Sequence, residues 1–107
     1  IREEFSEDIL PVLDSFDMAA GAESWKSVDA MWRAGMEQVR NQLLEVLLRH
    51  GISRFGTVGE AYDPHVHEAV QEIEDASGES GTIARILRAG YKSSDRVVRP
   101  AQVIIFK

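Results

Sequence analysis

Trp32-Arg33-Ala34-Gly35-Met36-Glu37-Gln38-Val39-Arg40-Asn41-Gln42-Leu43-Leu44-Glu45-Val46-Leu47-Leu48-Arg49-His50-Gly51-Ile52 is the stretch on which the reading of this chain turns. Trp32, Met36, Val39, Leu43, Val46 and Leu47 follow one another at steps of four, three, four, three and one, which lines them along one face of a helix. Met31, Leu44 and Leu48 widen that face beyond a single seam. Gly35 lies inside the helix and costs up to about 1 kcal/mol relative to alanine, unless another backbone approaches closely there. Gly51 after Arg49-His50 suits the left-handed residue that closes a helix, and Ile52 can supply the apolar contact of a Schellman end.

On the N-terminal side Ile1, Phe5, Ile9, Val12, Leu13 and Phe16 also recur at helical spacing. Pro11 lacks an N–H and its ring crowds the carbonyl of Glu7, which predicts a kink or a restart there. Gly21 ends this segment, residues 24–27 form a polar connector containing Trp25, and Ser27 or Asp29 can cap the next helix. Two helices with such wide apolar faces have too few partners in isolation. Two copies of the chain could form a four-helix bundle, with Trp32, Met36, Val39, Leu43, Val46 and Leu47 at the dimer interface. The alternative is that the second half of the same chain covers both faces. The chain opens Ile1-Arg2-Glu3-Glu4 with neither an initiator Met nor a signal peptide, and is read as an excerpt.

Beyond Gly51, glycines at 56, 59, 78, 81 and 90 punctuate short segments. His67, Ala69, Gln71 and Ile73 alternate with Glu68, Val70, Glu72 and Glu74, as on a half-exposed strand. Residues 75–81 read as a polar loop, and residues 82–87 as a strand with Ile83 inward. Residues 91–97 suit a hairpin around 93–95. Val103-Ile104-Ile105-Phe106 is β-branched and aromatic, hence strand, and Pro100 marks an edge or bulge just before it.

At 107 residues, 44% hydrophobic and 28% charged, the chain has the balance of a folded domain rather than a disordered one. It has no apolar run of about 18 residues, so no membrane span is predicted. Zero cysteines exclude disulfides and thiol catalysis and suit a reducing, cytoplasmic setting. Residues 80–107 carry six bases against one acid, on an otherwise acidic chain of net charge −6. That asymmetry suggests an oriented encounter with an acidic partner, or simply a solvated face. As a nucleic-acid interface it is thin, with only Tyr91 and Phe106 available for stacking. His65 and His67, with Asp63, Glu68 and His50 nearby, are the one cluster of metal-ligand residue types. Pro64 puts them in a turn and no second cluster completes a ligand set. A turn beginning at Asp63-Pro64, whose backbone a following His bonds, is the better reading, and no metal is expected. There is no nucleotide-binding glycine motif. Ser77, Ser80, Ser93 and Ser94 lack a His–Asp partner set, so no catalytic residue is expected.

The order of the pieces carries more than any one of them. Leu10-Pro11-Val12-Leu13-Asp14-Ser15-Phe16-Asp17 is followed by His50-Gly51-Ile52 and then by Gly59-Glu60-Ala61-Tyr62-Asp63-Pro64-His65-Val66-His67-Glu68-Ala69-Val70. Gly81-Thr82-Ile83-Ala84-Arg85-Ile86-Leu87-Arg88-Ala89-Gly90-Tyr91 and Asp95-Arg96-Val97-Val98-Arg99-Pro100-Ala101-Gln102-Val103 complete the series. Taken together, essentially over the whole chain, this resembles the GrpE family, the nucleotide-exchange co-chaperones of DnaK-type chaperones. Tyr62 stands where Phe is commoner in the family, and Gln102 where Met is common.

The resemblance implies an α+β fold: N-terminal helices forming a dimeric four-helix bundle (residues 1–51), then a small all-β domain (residues 52–107). Most of the family's long paired helix would lie outside this chain. It implies a homodimer whose β-domain binds the ATPase domain of a DnaK-type chaperone, opens its cleft and lets ADP leave, with no chemistry and no cofactor. By resemblance Leu87, Arg96 and Ile105 fall at partner contacts; Arg85, Arg88 and Arg99 join them on charge and proximity in sequence. Leu87 could instead be a core residue of its strand, and Arg99 could make a hydrogen bond within the domain beside Pro100. Gly51 would act through geometry, aiming the β-domain. A dimeric interaction module without exchange activity is the runner-up.

Overall fold

A computed structural model describes residues 2–75, 77–94 and 96–107, without the side chains of Arg2, Glu3, Glu4 and Ser6. Ile1 and Asp95, which the sequence placed on the first apolar face and in the hairpin turn, lie outside the described residues. The chain forms two units, residues 1–52 and 53–107.

In the first unit α1 spans Arg2–Gly21 and α2 spans Ala30–Arg49, joined by a short 3-10 segment at Glu23–Ser27. Pro11 does not restart α1, which continues through it. Proline's fixed φ is already helical, so the loss is one backbone bond and a ring clash, and the flanking Leu10 and Leu13 are both buried. Leu10, absent from the predicted face, thus belongs to the packed side, whereas Phe5 and Val12 are exposed. Phe16 packs edge-on against Trp25 at 5.9 Å. Arg40 of α2 lies over the Phe16 ring at 5.6 Å and pairs with Asp17 at 3.8 Å. Asp29 occupies the N-cap position of α2 but makes no capping bond with its side chain. The other end of α2 closes as read from the sequence: Gly51, at φ +83°, donates to the Leu48 carbonyl, and Ile52 donates to that of Leu47, both at 2.9 Å. These are the two bonds of a Schellman motif, with Leu47 and Ile52 both buried.

In the second unit the described strands are β1 (Ser53–Phe55), β2 (His67–Ile73), β3 (Ile83–Arg88), β4 (Gly90–Lys92), β5 (Val97–Arg99) and β6 (Ala101–Phe106). They form two three-stranded sheets, in the orders β1-β4-β5 and β2-β6-β3. β6 is central: it pairs parallel with β2 and antiparallel with β3. Pro100 is the one residue between β5, an edge strand, and β6, so the missing N–H falls where the chain leaves one sheet for the other. Alternation along β6 turns Ala101, Val103 and Ile105 inward. With Ile83 they make a core against which Phe55, Tyr62, Ala69 and Ile86 pack. At Gly90 a methyl group would collide with the Phe55 ring and come within 2.8 Å of the Ala101 nitrogen, so the start of β4 admits only glycine. β1 was not read from the sequence; at three residues it is too short to show a period.

Candidate functional site

β3 is an edge strand with two irregularities against β6, between Ile83 and Arg85 and between Ile86 and Arg88. Each inserts an unpaired residue, Ala84 and then Leu87. Without the bulges Leu87 would share the face of buried Ile83. With them Ile86 takes the inward place and Leu87 is turned out, 46% exposed. The alternative of a core Leu87 is therefore set aside. Arg85 and Arg88 flank it on the exposed side of the strand, and Arg96 is exposed ahead of β5. Arg85, Leu87 and Arg88 thus present an exposed apolar side chain between basic ones on one edge strand, while Arg96 is exposed ahead of a strand of the other sheet.

Ile105 does not join them. It is only 7% exposed and part of the core, because the central strand turns it inward with Ala101 and Val103. Arg99 is half-buried: its Nε–H donates to the Ala89 carbonyl at 3.0 Å, and its guanidinium lies over the Tyr91 ring at 5.2 Å. The hydrogen bond within the domain is thus present, its acceptor being the single residue between β3 and β4.

The Asp63-Pro64 turn is built around His67. The Asp63 backbone N–H donates to His67 Nδ1 at 2.9 Å, and His67 Nε2 lies 3.3 Å from Glu60 Oε1. A neutral ring with its hydrogen on Nε2 satisfies both contacts. Glu60 also accepts the Thr57 N–H, and Tyr62 stacks on the His67 ring. Tyr62 therefore serves in the place where the family more often has Phe. His65 is instead exposed, its ring on the Asp63 carboxylate, whereas His67 is buried. Gln102, the other departure, reaches Glu68 on β2 at 3.4 Å. The His65 backbone N–H and then its ring, both bonded to Asp63 Oδ1, hold the Asp63 carboxyl below its ordinary value of 3.8. A depressed carboxylate stabilises the fold above its unfolded pKa, and that contribution is lost as pH falls through the lower folded value. Carboxyl resonances followed by NMR should show Asp63 titrating below 3.8, and His65→Ala, which removes the ring but keeps the backbone N–H, should bring it only part of the way back.

On α2, Trp32 is 69% exposed, and Met31, Met36, Val39, Val46 and Leu48 are exposed with it. Leu43 and Leu44 are half-buried. Leu47 alone of the predicted interface residues is already buried within the chain. An open groove of about 500 Å³ is lined by Asp29, Met31, Trp32, Gly35, Met36 and Val39.

A family model described as GrpE matches residues 2–107. The chain belongs to the GrpE family. Protein GrpE of Bacillus cytotoxicus is 42% identical over 96 residues, 90% of this chain and 48% of that protein. The Halalkalibacterium halodurans Protein GrpE is 42% identical over 97 residues, 91% and 50% of the two chains. That of Parageobacillus thermoglucosidasius is 40% identical over 96 residues, 90% and 43%. The chain spans about half the length of the curated GrpE relatives it matches. No described helix is long and apolar enough to cross a membrane. In GrpE terms, sequence reasoning missed Tyr91, a fully buried ring with an arginine on the strand either side of it. The signal was present, since Arg54, Tyr91 and Arg99 are all legible, but their pairing spans 45 positions.

Proposed function

We propose that the chain acts as a nucleotide-exchange factor, its β unit binding the ATPase domain of a DnaK-type chaperone and holding the nucleotide cleft open. No bond is made or broken. The factor binds the open state better than the closed one and shifts the population toward it, and linkage requires that bound ADP weaken the factor's own binding equally. Membership of the GrpE family over residues 2–107 is the observation that carries this reading. The exposed Leu87 between Arg85 and Arg88 supports it, as a small anchor flanked by basic side chains and suited to an acidic, apolar-pocketed partner. The test is release of a fluorescent ADP analogue from a DnaK-type ATPase domain, with and without the chain. Acceleration that saturates with concentration is expected; binding without acceleration would leave an interaction module instead.

The same reading takes the helical unit as one half of a homodimeric four-helix bundle. The exposed stripe of Trp32, Met36, Val39 and Val46 supports it, as does open space beside Gly35, where among the described residues nothing beyond the helix's own backbone lies within 4 Å of an added methyl group. A second backbone could approach there, which would account for a glycine inside a helix. Light scattering at tens of micromolar should give twice the chain mass, and Trp32→Glu should return it to that of a monomer. A monomer in the unaltered chain would overturn this part.

A further inference from the structure

Tyr91 is held between two arginines. It is fully buried, and its cross-strand partners are Arg54 on β1 and Arg99 on β5. Arg54 lies over the ring at 6.0 Å and reaches the hydroxyl at 3.3 Å; Arg99 lies over it at 5.2 Å. The Nε–H of Arg99 is bonded to the carbonyl of Ala89 at 3.0 Å. Ala89 is the only residue between β3 and β4, so this bond fastens the edge of one sheet to the corner where the chain leaves the other. Ala89 and Gly90 are both buried, and Gly90 has no room to shift against Phe55 and Ala101. The bulge that turns Leu87 outward begins two residues before that corner. A bulge has an unpaired residue and no ladder bond of its own to fix its direction. Its aim depends on what anchors the backbone beyond it.

We propose that Arg99 is a positioning residue: through its bond to the Ala89 carbonyl it sets the direction in which Leu87 and Arg88 face a partner, and does not itself touch that partner. This rests on the exchange reading given above, and it moves Arg99 from the contact set to the support beneath it. Two substitutions separate the roles. Arg99→Lys keeps the positive charge but has neither Nε–H nor a planar group for the ring. Arg99→Gln loses the charge but places an amide N–H the same number of bonds from the backbone as Nε.

Both variants are assayed for ADP-analogue release from a DnaK-type ATPase domain across a range of factor concentrations. Arg99→Lys should raise the half-saturating concentration about tenfold, the equivalent of about 1.4 kcal/mol, with the maximal rate unchanged. Arg99→Gln should stay within about twofold of the unaltered chain, as the retained donor predicts. In a Leu87→Ala background Arg99→Lys should change little, because its effect passes through Leu87. The Leu87 methyl resonances should move in Arg99→Lys and stay in Arg99→Gln, while those of Ile83 and Val103 stay in both. The reverse order of the two variants, equal losses in both, or undiminished loss in the Leu87→Ala background would overturn the proposal in favour of direct contact or general destabilisation. If the unaltered chain fails to accelerate release, the exchange reading falls on its own. The methyl resonances then decide the positioning claim, and unmoved Leu87 signals in Arg99→Lys refute it.

Discussion

Leu87→Ala should weaken binding to a DnaK-type ATPase domain roughly thirtyfold, the effect of losing about 2 kcal/mol at an interface anchor. ADP release at subsaturating factor should slow accordingly. The melting temperature should stay within about 4 °C, since an exposed substitution moves stability by about 0.5 kcal/mol or less. The reason lies in the geometry of β3. Leu87 is the unpaired residue of a bulge and is 46% exposed, so its truncation leaves no cavity. A buried leucine would instead cost about 2–5 kcal/mol and melt the β unit. Calorimetry on the variant, run beside the release assay, distinguishes the two. A normal melt with normal exchange would remove Leu87 from the contact set and weaken the transfer of contact positions from the family to this chain.

Tyr91→Ala should do the opposite: destabilise the β unit by about 3–5 kcal/mol, as deletion of a fully buried aromatic ring does. For a unit of this size that corresponds to at least about 12 °C in melting temperature. The ring is fully enclosed, and its removal also leaves Arg54 and Arg99 without the surface they lie over. Tyr91→Phe, which keeps the ring and drops only the hydroxyl that Arg54 reaches, should cost about 1 kcal/mol. The readout can be made specific to the unit. Trp25 and Trp32 both lie in residues 1–52, so tryptophan fluorescence follows the helices, while the methyl resonances of Ile83 and Val103 follow the sheets. Dispersed Ile83 and Val103 signals in Tyr91→Ala at the unaltered chain's working temperature would show that the core does not depend on this ring.

Neither the burial of Ile105 nor the exposure of Leu87 follows from local pattern. Period two says which residues of a strand share a face, but not which face is buried. In β6 the alternation is unbroken, and only its central place, between β2 and β3, turns Ile105 inward. In β3 two bulges break the alternation, so Ile83 and Leu87, four positions apart, end on opposite sides of the burial boundary. The parallel pairing of β2 with β6 joins residues more than thirty positions apart, a distance over which no local pattern speaks. Arg99 shows the same limit from the side of function. Its charge was legible, whereas its bond to Ala89 exists only because β5 folds back beside β4.

What the sequence determined by itself is whatever closes within a few residues. The apolar stripe of α2 follows from helical spacing, the end at Gly51 from one left-handed residue and two short-range bonds, and the Asp63-Pro64 turn from a histidine four positions on. The ordered set of motifs, read together, likewise sufficed for the family. Tertiary structure alone decided which sheet each strand joined, that Ile105 is core and Leu87 surface, and that Arg99 supports a corner. Those outcomes depend on burial and on pairings between distant segments, and water is excluded from a side chain only once the whole unit has closed around it.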